Sequence, residues 1–251
     1  MAKQLSHIKI SGSIDDLTYF STKNGYKLRK KKALTREQLL TGDAFERTRE
    51  NNTEFTRAAH AGKLLREALN DQLKLVKGSR IGIRLFTEMM RILRTDPVNN
   101  RGQRLVQNGN FGELAGFEFN EGAAFKDSFS AQVASAADRV QGTLATGIAP
   151  FVPTQKLSGL PGATHCKLFT AAVELNFPEK KYRFSLSETA ALPISHDELV
   201  LPELKNQLTP NSTLPWLLVI GIVYLQNANG KLYPFKDKSS NTMKIVLAEK
   251  P

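Results

Sequence analysis

The sequence predicts an α+β fold, with a basic N-terminal β-hairpin and helices followed by a C-terminal antiparallel β-sandwich. An Asn-Gly pair joins two β-prone runs near the N-terminus, apolar residues recur at helical spacing over 35–95, and short runs rich in Val, Ile, Phe and Thr alternate with turn clusters over 109–251. These patterns are typical of a hairpin, of amphipathic helices and of a sandwich. A chain of 251 residues can hold two parts, which we expect at residues 1–108 and 109–251.

The hairpin is predicted within residues 5–32. The run 17–22 leads to Lys23-Asn24-Gly25, and the second strand starts at Tyr26 and continues into consecutive lysines. Asn-Gly is a strong hairpin signal because both residues tolerate positive φ.

Helices are predicted over residues 35–95. Thr35 with Gln38, and Asp43 with Glu46, have capping-box spacing. A second helix is expected over 80–94, with Ser79 available as its N-cap. The apolar face of the preceding helix is predicted to consist of Phe55, Ala58, Ala59, Gly62, Leu65, Leu69 and Leu73.

The C-terminal part contains the β-prone runs. The clearest predicted strands are residues 115–119, 167–175, 182–186, 215–225, 231–235 and 242–248. The apolar run 214–225 is shorter than the roughly 18 residues that a membrane-spanning helix needs, so it predicts a buried strand. Asn229-Gly230 lies in the expected turn of a late hairpin.

The excess positive charge is confined to the first part. The chain has 35 Lys and Arg residues against 24 Asp and Glu residues, a net charge of +11. Residues 1–108 hold 22 basic and 11 acidic residues, whereas 109–251 hold 13 of each. Such asymmetry suggests that the first part faces a polyanion, although a basic surface kept for solubility is the alternative.

A basic strand follows the hairpin turn, and its candidate phosphate-binding residues are Lys27, Arg29, Lys30, Lys31 and Lys32. On a strand, Lys27, Arg29 and Lys31 would share one face at spacings of about 6.6–7 Å, which suits successive phosphates. Tyr19, Phe20 or Tyr26 could add base stacking. The alternative is an edge strand whose lysines resist aggregation.

An arginine stripe is predicted on the second helix. Its members are Arg80, Arg84, Arg91 and Arg94. At helical spacing they form a line about 80° wide, with only Glu88 nearby to neutralise it. This favours contact with phosphate or an acidic partner over a plain solvent face. Arg101 and Arg104 extend the same basic surface.

No catalytic, metal or cofactor site is expected. The chain has one cysteine and four histidines, and it lacks dinucleotide-binding, phosphate-loop, nucleophile-elbow and zinc-protease motifs. Cys166 is predicted to be a half-buried structural residue, and His196 a loop residue. The N-terminus has no apolar run of signal-peptide length, so we expect a cytoplasmic protein.

The chain resembles an uncharacterised family of basic proteins from Bacteroidota genomes. The resemblance rests on residues 12–31, 44–69 and 219–234, which include GSIDDLTYFSTKNGYKLRKK and VIGIVYLQNANGKLYP. It implies an architecture and a bacterial or phage-related origin, but no activity.

These observations lead to a hypothesis of a non-enzymatic binding protein. Its basic part would contact RNA, DNA or a nucleoprotein particle such as the ribosome through phosphates, and the sandwich could recruit a protein partner; no membrane partner is expected. The first alternative is a structural component of a phage or phage-derived particle, with the N-terminal segment as an assembly arm. A weaker alternative is an enzyme with an unrecognised site near Cys166 or His196.

Overall fold

The computed structural model describes residues 2–5, 7–31, 35–158 and 160–251. The fold is α+β, as predicted, because helices accompany sheets in which all strand pairs are antiparallel. The chain divides into two compact units, Met1–Glu50 and Asn51–Pro251, so the division lies at residue 50 and not at the expected residue 108.

The N-terminal unit contains one sheet within its described residues, here called the N-terminal sheet. Its strands are β1 (Ala2–Lys3), β2 (Gly12–Ile14), β3 (Leu17–Thr22) and β4 (Gly25–Lys30), in the order β1-β4-β3-β2. The predicted hairpin is confirmed as β3 and β4, whose last paired residues are Thr22 and Gly25. Gly25 has φ +97°, a conformation that a residue with a Cβ rarely adopts, whereas Asn24 is not among the residues with positive φ.

A short helix, α1 (Arg36–Thr41), follows in the same unit. The predicted capping box is confirmed, since the Gln38 amide donates to the Thr35 hydroxyl and the Thr35 amide donates to the Gln38 side chain. Asp43 does not form the second predicted box, because it lies in a 3-10 turn, Asp43–Phe45, without a side-chain cap.

Three helices come next: α2 (Glu46–Ala68), α3 (Asn70–Leu73) and α4 (Ile81–Arg94). Of the predicted apolar face, Ala58, Gly62 and Leu65 of α2 are buried, as predicted. Phe55 and Ala59 are exposed. Ser79 does not cap α4. Its hydroxyl donates to Glu121, and Arg80, with φ +50°, occupies the N-cap position.

The remaining elements are mostly strands. They are α5 (Phe125–Ser128), β5 (Val133–Asp138), β6 (Thr143–Ile148), α6 (Pro153–Lys156), β7 (His165–Asn176), β8 (Lys181–Glu188), β9 (Leu192–Pro193), β10 (Leu204–Gln207), β11 (Trp216–Ala228), β12 (Lys231–Pro234) and β13 (Thr242–Glu249). A large sheet has the order β12-β11-β7-β8, with β13 on β11 and β9 on β7, and a small sheet has the order β10-β6-β5.

Five of the predicted strands are confirmed as β7, β8, β11, β12 and β13. The prediction of a strand at 115–119 is wrong. This segment follows a 3-10 turn, Phe111–Leu114, and Gly116 has φ +94°, which interrupts an extended conformation. The segment still pairs with β13, because the amides of Gly116 and Phe119 donate to the carbonyl oxygens of Ile245 and Met243, and the Ile245 amide donates to the Phe117 carbonyl oxygen. The late hairpin turn is confirmed, with positive φ at both Asn229 and Gly230.

The large sheet is covered on both faces, which makes the C-terminal region sandwich-like. On β7, Phe169, Ala171 and Val173 face a core shared with α2 and α4. The alternate residues Cys166 and Leu168 face a second core that contains β6 and α5. The helices therefore form one layer of the second unit, which is why residue 108 does not separate compact parts.

A third core cluster lies between the two sheets around Trp216. The Trp216 indole N–H donates to the buried Glu174 carboxylate at 3.1 Å, and the Arg139 guanidinium lies 4.5 Å from the ring centroid. Thr209 also donates to Glu174, so the carboxylate is held by several donors although it is almost inaccessible to solvent. This network aligns β7 with β11 and the loop after β10.

Candidate nucleic-acid interface

Arg84 belongs to the arginine stripe on α4, but its guanidinium is bound to its own chain. It donates to the carbonyl oxygens of Glu118 and Phe119, and it pairs with Glu121 at 3.0 Å. It also lies 4.7 Å from the ring centroid of Phe117, and 23% of its side chain is exposed. Arg84 therefore attaches the segment 117–121 to α4 and offers little to a phosphate.

Arg91 is neutralised from two sides. Its guanidinium lies 2.6 Å from the Glu88 carboxylate on the same helix and 3.1 Å from the Glu113 carboxylate. It also donates to the Glu113 carbonyl oxygen. The expectation that Glu88 is the only acidic neighbour is wrong, because Glu113 comes from a turn that the sequence pattern does not place beside α4.

Arg80 and Arg94 stand at the two ends of α4 and are exposed. Within the described part of the chain, neither side chain has a hydrogen bond or an ion pair. A rise of about 1.5 Å per residue puts them about 21 Å apart. The stripe is therefore two separated cations, with two neutralised arginines between them.

Arg101 and Arg104 belong to the loop that follows α4. Arg101 donates to the Asn51 side chain at 2.8 Å, and the Arg104 guanidinium lies 3.9 Å from the buried Glu54 carboxylate. Glu54 also accepts the Gly102 amide at 2.8 Å. These contacts fasten the loop to α2, which gives both arginines a structural role.

The N-terminal sheet gathers three cations on one face, here called the cationic face and defined by Lys3, Lys27, Arg29 and Phe20. Lys27 lies opposite Lys3 on β1 and opposite Phe20 on β3, and residues opposite one another point to the same side of a sheet. Arg29 is two residues along β4, with its guanidinium 5.5 Å from the Phe20 ring centroid. The described strands of this sheet contain no acidic residue.

The other lysines of the basic strand are arranged differently. Lys30 points to the opposite face from Lys27 and Arg29 and pairs with Asp16 at 3.1 Å. Lys31 lies beyond the end of β4, and its ammonium group donates to the Asp15 carbonyl oxygen. Lys32 lies outside the described residues. The turn at Asp15-Asp16 therefore binds the end of the basic strand.

Of the aromatic residues expected to stack on bases, Phe20 is the one on the cationic face. Tyr19 lies opposite Leu28, and Tyr26 lies opposite Ser21, on the other side of the sheet. Tyr26 has the Lys9 ammonium 6.0 Å from its ring centroid.

The cationic face has the composition of a phosphate-binding surface. Lys27 and Arg29 are separated by two residues of strand, about 6.6–7 Å. Arginine offers a planar fork that binds phosphate through two donors, and lysine offers a compact charge. The Arg29 guanidinium and the Phe20 ring provide flat surfaces on which an unpaired base can stack.

The residues considered for catalysis are not brought into a reactive arrangement. Cys166 is fully buried on β7 and not half-buried as predicted, and burial raises the pKa of its thiol to about 12. A protonated thiol is a poor nucleophile. His196 is exposed in a loop, with its Nδ1 3.0 Å from the Thr154 hydroxyl. Among the described residues, no group of three His, Cys, Asp or Glu side chains could hold a metal ion.

None of the described helices combines the length and the apolar character needed to cross a membrane. Comparisons with protein-family models, with curated proteins and with solved structures find no match. The resemblance to the Bacteroidota family stays a prediction.

Proposed function

We propose that the protein binds single-stranded nucleic acid through the cationic face of its N-terminal sheet, without strong sequence preference. The observation that carries the proposal is the grouping of Lys3, Lys27 and Arg29 around Phe20, on strands without acidic residues. Phosphate contacts supply affinity that is independent of sequence, and stacking on a flat side chain favours unpaired bases over a duplex.

The charge distribution also supports this choice. The excess of positive charge lies in the first 108 residues, and within that region Arg84 and Arg91 are occupied by the protein's own acidic and carbonyl groups. The cationic face is therefore a better candidate than the arginine stripe. The flexible backbone of a single strand can follow a small sheet, as it does on other strand surfaces that bind nucleic acid.

The test is fluorescence anisotropy of a labelled single-stranded RNA, titrated with the full chain at several potassium chloride concentrations. Three phosphate contacts predict that log K falls with log salt at a slope of about −2. The double variant Lys27→Glu/Arg29→Glu should lose most of the affinity at low salt. The matched control is Lys231→Glu/Lys236→Glu, which changes the net charge equally at two exposed lysines elsewhere.

Equal weakening by both double variants would mean that overall charge, and not the cationic face, determines binding. Phe20→Leu separates the two contributions of that face. It should reduce affinity for single strands, by about 1–3 kcal/mol if one base stacks, and leave the salt slope unchanged. An equal loss of affinity for a duplex would contradict the preference for unpaired bases.

A second candidate function is a structural part of a larger assembly, with the N-terminal unit as an arm. None of the described residues of Met1–Glu50 is buried. Several large apolar side chains of this unit are exposed, namely Leu5, Ile8, Ile10, Ile14 and Leu40. Apolar surface of this kind favours a protein partner over a polyanion.

Light scattering of the full chain over a concentration series distinguishes the two functions. An assembly arm predicts particles that grow with protein concentration and persist at high salt. The double variant Ile8→Ser/Ile14→Ser should then reduce particle size and spare RNA binding. A monomer at all concentrations would argue against self-assembly through the arm.

A further inference from the structure

A cavity of about 300 Å³ in the second unit is lined by residues of α2, of the segment after α4 and of the turn between β7 and β8. Four apolar lining residues that are buried or half-buried are here called the floor: Ala61 and Leu64 of α2, Val106, and Phe177 of the turn between β7 and β8. His60 and Lys180 also line the cavity and are exposed, and they are here called the rim. The volume is at the lower end of the range of about 300–1,000 Å³ that small-molecule sites occupy.

Contacts between the lining residues and the rest of the second unit fix the walls of the cavity. Arg57 donates to the carbonyl oxygens of Gly102 and Arg104, which ties the loop after α4 to α2. The Leu105 amide donates to the buried Asp96 carboxylate at 2.8 Å. Phe177 packs edge-on against Phe111, with 6.2 Å between ring centroids. Because each wall has its own attachment, the cavity is formed without a ligand, and little ordering would oppose binding.

The polar lining carries positive charge that the protein does not neutralise. No Asp or Glu lines the cavity among the described residues. Arg57 is occupied by carbonyl oxygens, but no hydrogen bond or ion pair joins the Lys180 ammonium group or the His60 ring to another described group. Lys180 is held in place by its backbone, since its amide donates to the Phe177 carbonyl and its φ is +55°.

We propose that this cavity is a binding site for a small amphipathic carboxylate, with an aliphatic or aryl body on the apolar floor and its carboxylate at Lys180 and His60. The floor provides the apolar contact, and the rim provides donors for an anion at one end. A neutral aliphatic ligand would contact the floor alone, whereas an inorganic anion would contact the rim alone. The combination selects a ligand that has both parts.

Isothermal titration calorimetry of the full chain with sodium octanoate tests the proposal, and 1-octanol is the neutral ligand of equal chain length. Octanoate should bind about tenfold more tightly than octanol, because only octanoate can accept charge-assisted hydrogen bonds. Lys180→Asn, in an exposed turn where asparagine tolerates positive φ, should reduce this preference to about twofold or less. The exposed Lys236→Asn is the control and should leave both affinities unchanged.

Ala61→Phe fills the floor and should abolish binding of both ligands, with the thermal midpoint showing whether the variant is folded. If it is not folded, Lys180→Asn still decides the question, since its side chain makes no contact on which the fold depends. The proposal would be overturned if titration of octanoate into the wild-type protein gave no heat of binding. So would an octanoate affinity that Lys180→Asn leaves unchanged, because the carboxylate would then lie elsewhere.

Discussion

Gly221 lies in β11 directly opposite Phe169 of β7. A Cβ at this position would come within 2.2 Å of the Phe169 ring and within 3.0 Å of the Thr242 carbonyl oxygen. The absence of a side chain therefore allows the ring to lie across the strand, where it fills the core between the large sheet and the helices. One small residue in the middle of an apolar strand thus determines how this layer packs.

Gly221→Ala should destabilise the protein by about 1–3 kcal/mol, because the new methyl group displaces a buried ring in a close-packed core. Gly147→Ala is the matched control, since Gly147 is also within a strand but has no atom within 4 Å of the added Cβ. Its effect should be below about 0.5 kcal/mol. Urea unfolding followed by circular dichroism measures both. Similar losses for the two variants would contradict the steric explanation.

Asp96 is a buried carboxylate at the end of α4. Burial acts to raise its pKa, but hydrogen bonds from the Asn99 side chain and from the amides of Leu105, Val98 and Asn99 outweigh burial and lower the pKa to about 2. The ionised form is therefore the one that organises the loop after α4. Because the pKa is below the ordinary value of 3.8, the stabilisation is present above that value and is lost as the pH falls towards 2.

Asp96→Asn should lower the free energy of unfolding by about 1–2 kcal/mol at neutral pH. The difference between the two proteins should shrink as the pH falls from about 4 towards 2, since the wild-type carboxyl then becomes protonated. Urea unfolding at a series of pH values measures this difference. A difference that stays constant with pH would show that the charge of Asp96 has no part in holding the loop.

At the scale of elements, α4 shows why a helix face cannot be interpreted from its own sequence. The sequence spacing predicts a stripe of four arginines, and three of them, Arg84, Arg91 and Arg94, lie in the helix, whereas Arg80 is its N-cap residue with positive φ. Their partners are not visible in the pattern, because Glu113 and Glu121 come from segments some distance along the chain. Helical periodicity indicates which residues share a face, but neutralisation depends on tertiary contacts.

Arg84→Gln should therefore reduce stability by about 1–3 kcal/mol, because two carbonyl oxygens and a carboxylate lose their charged donor. Arg94→Gln removes an equal charge from the same helix at an exposed position without such contacts, and it should cost less than about 0.5 kcal/mol. Thermal unfolding of both variants measures the contrast. Equal stability of the two would mean that Arg84 does not attach the segment 117–121.

The elements that sequence reasoning found are those with strong local signals. The hairpins at Gly25 and at Asn229-Gly230 follow from residues that accept positive φ, and β11 follows from a long apolar run. The sequence does not predict the strands β5 and β6, since VASAAD and TLATGI are rich in Ala, Ser, Thr and Gly. In β6, Leu144 and Ile148 are buried because they share cores with residues of the large sheet, and β5 pairs with this strand. Such packing is a non-local effect that no short window of sequence contains.

For the molecule as a whole, the helices and the β-rich region share a core, so they should not fold separately. A fragment of residues 109–251 would expose Phe169, Val173, Val219 and the rest of the helix-facing side of the large sheet. A fragment of residues 46–251 keeps α2 and α4 and should retain the core of the second unit.

We expect the 46–251 fragment to unfold cooperatively, with a midpoint within a few degrees of the full chain, and to lose RNA binding. The 109–251 fragment should aggregate or lack a cooperative transition, because a large apolar face has no cover. Circular dichroism and size-exclusion chromatography compare the fragments. Cooperative folding of 109–251 would show that the helices are an accessory layer.

Trp216 is the only tryptophan in the sequence, and it lies between the two sheets with its N–H bound to Glu174 and its ring beneath Arg139. The protein therefore contains an intrinsic optical reporter of one specific layer. Its emission should be at short wavelength in the native state and shift to longer wavelength when the two sheets separate. Quenching by acrylamide would then reveal opening of this layer without an added dye.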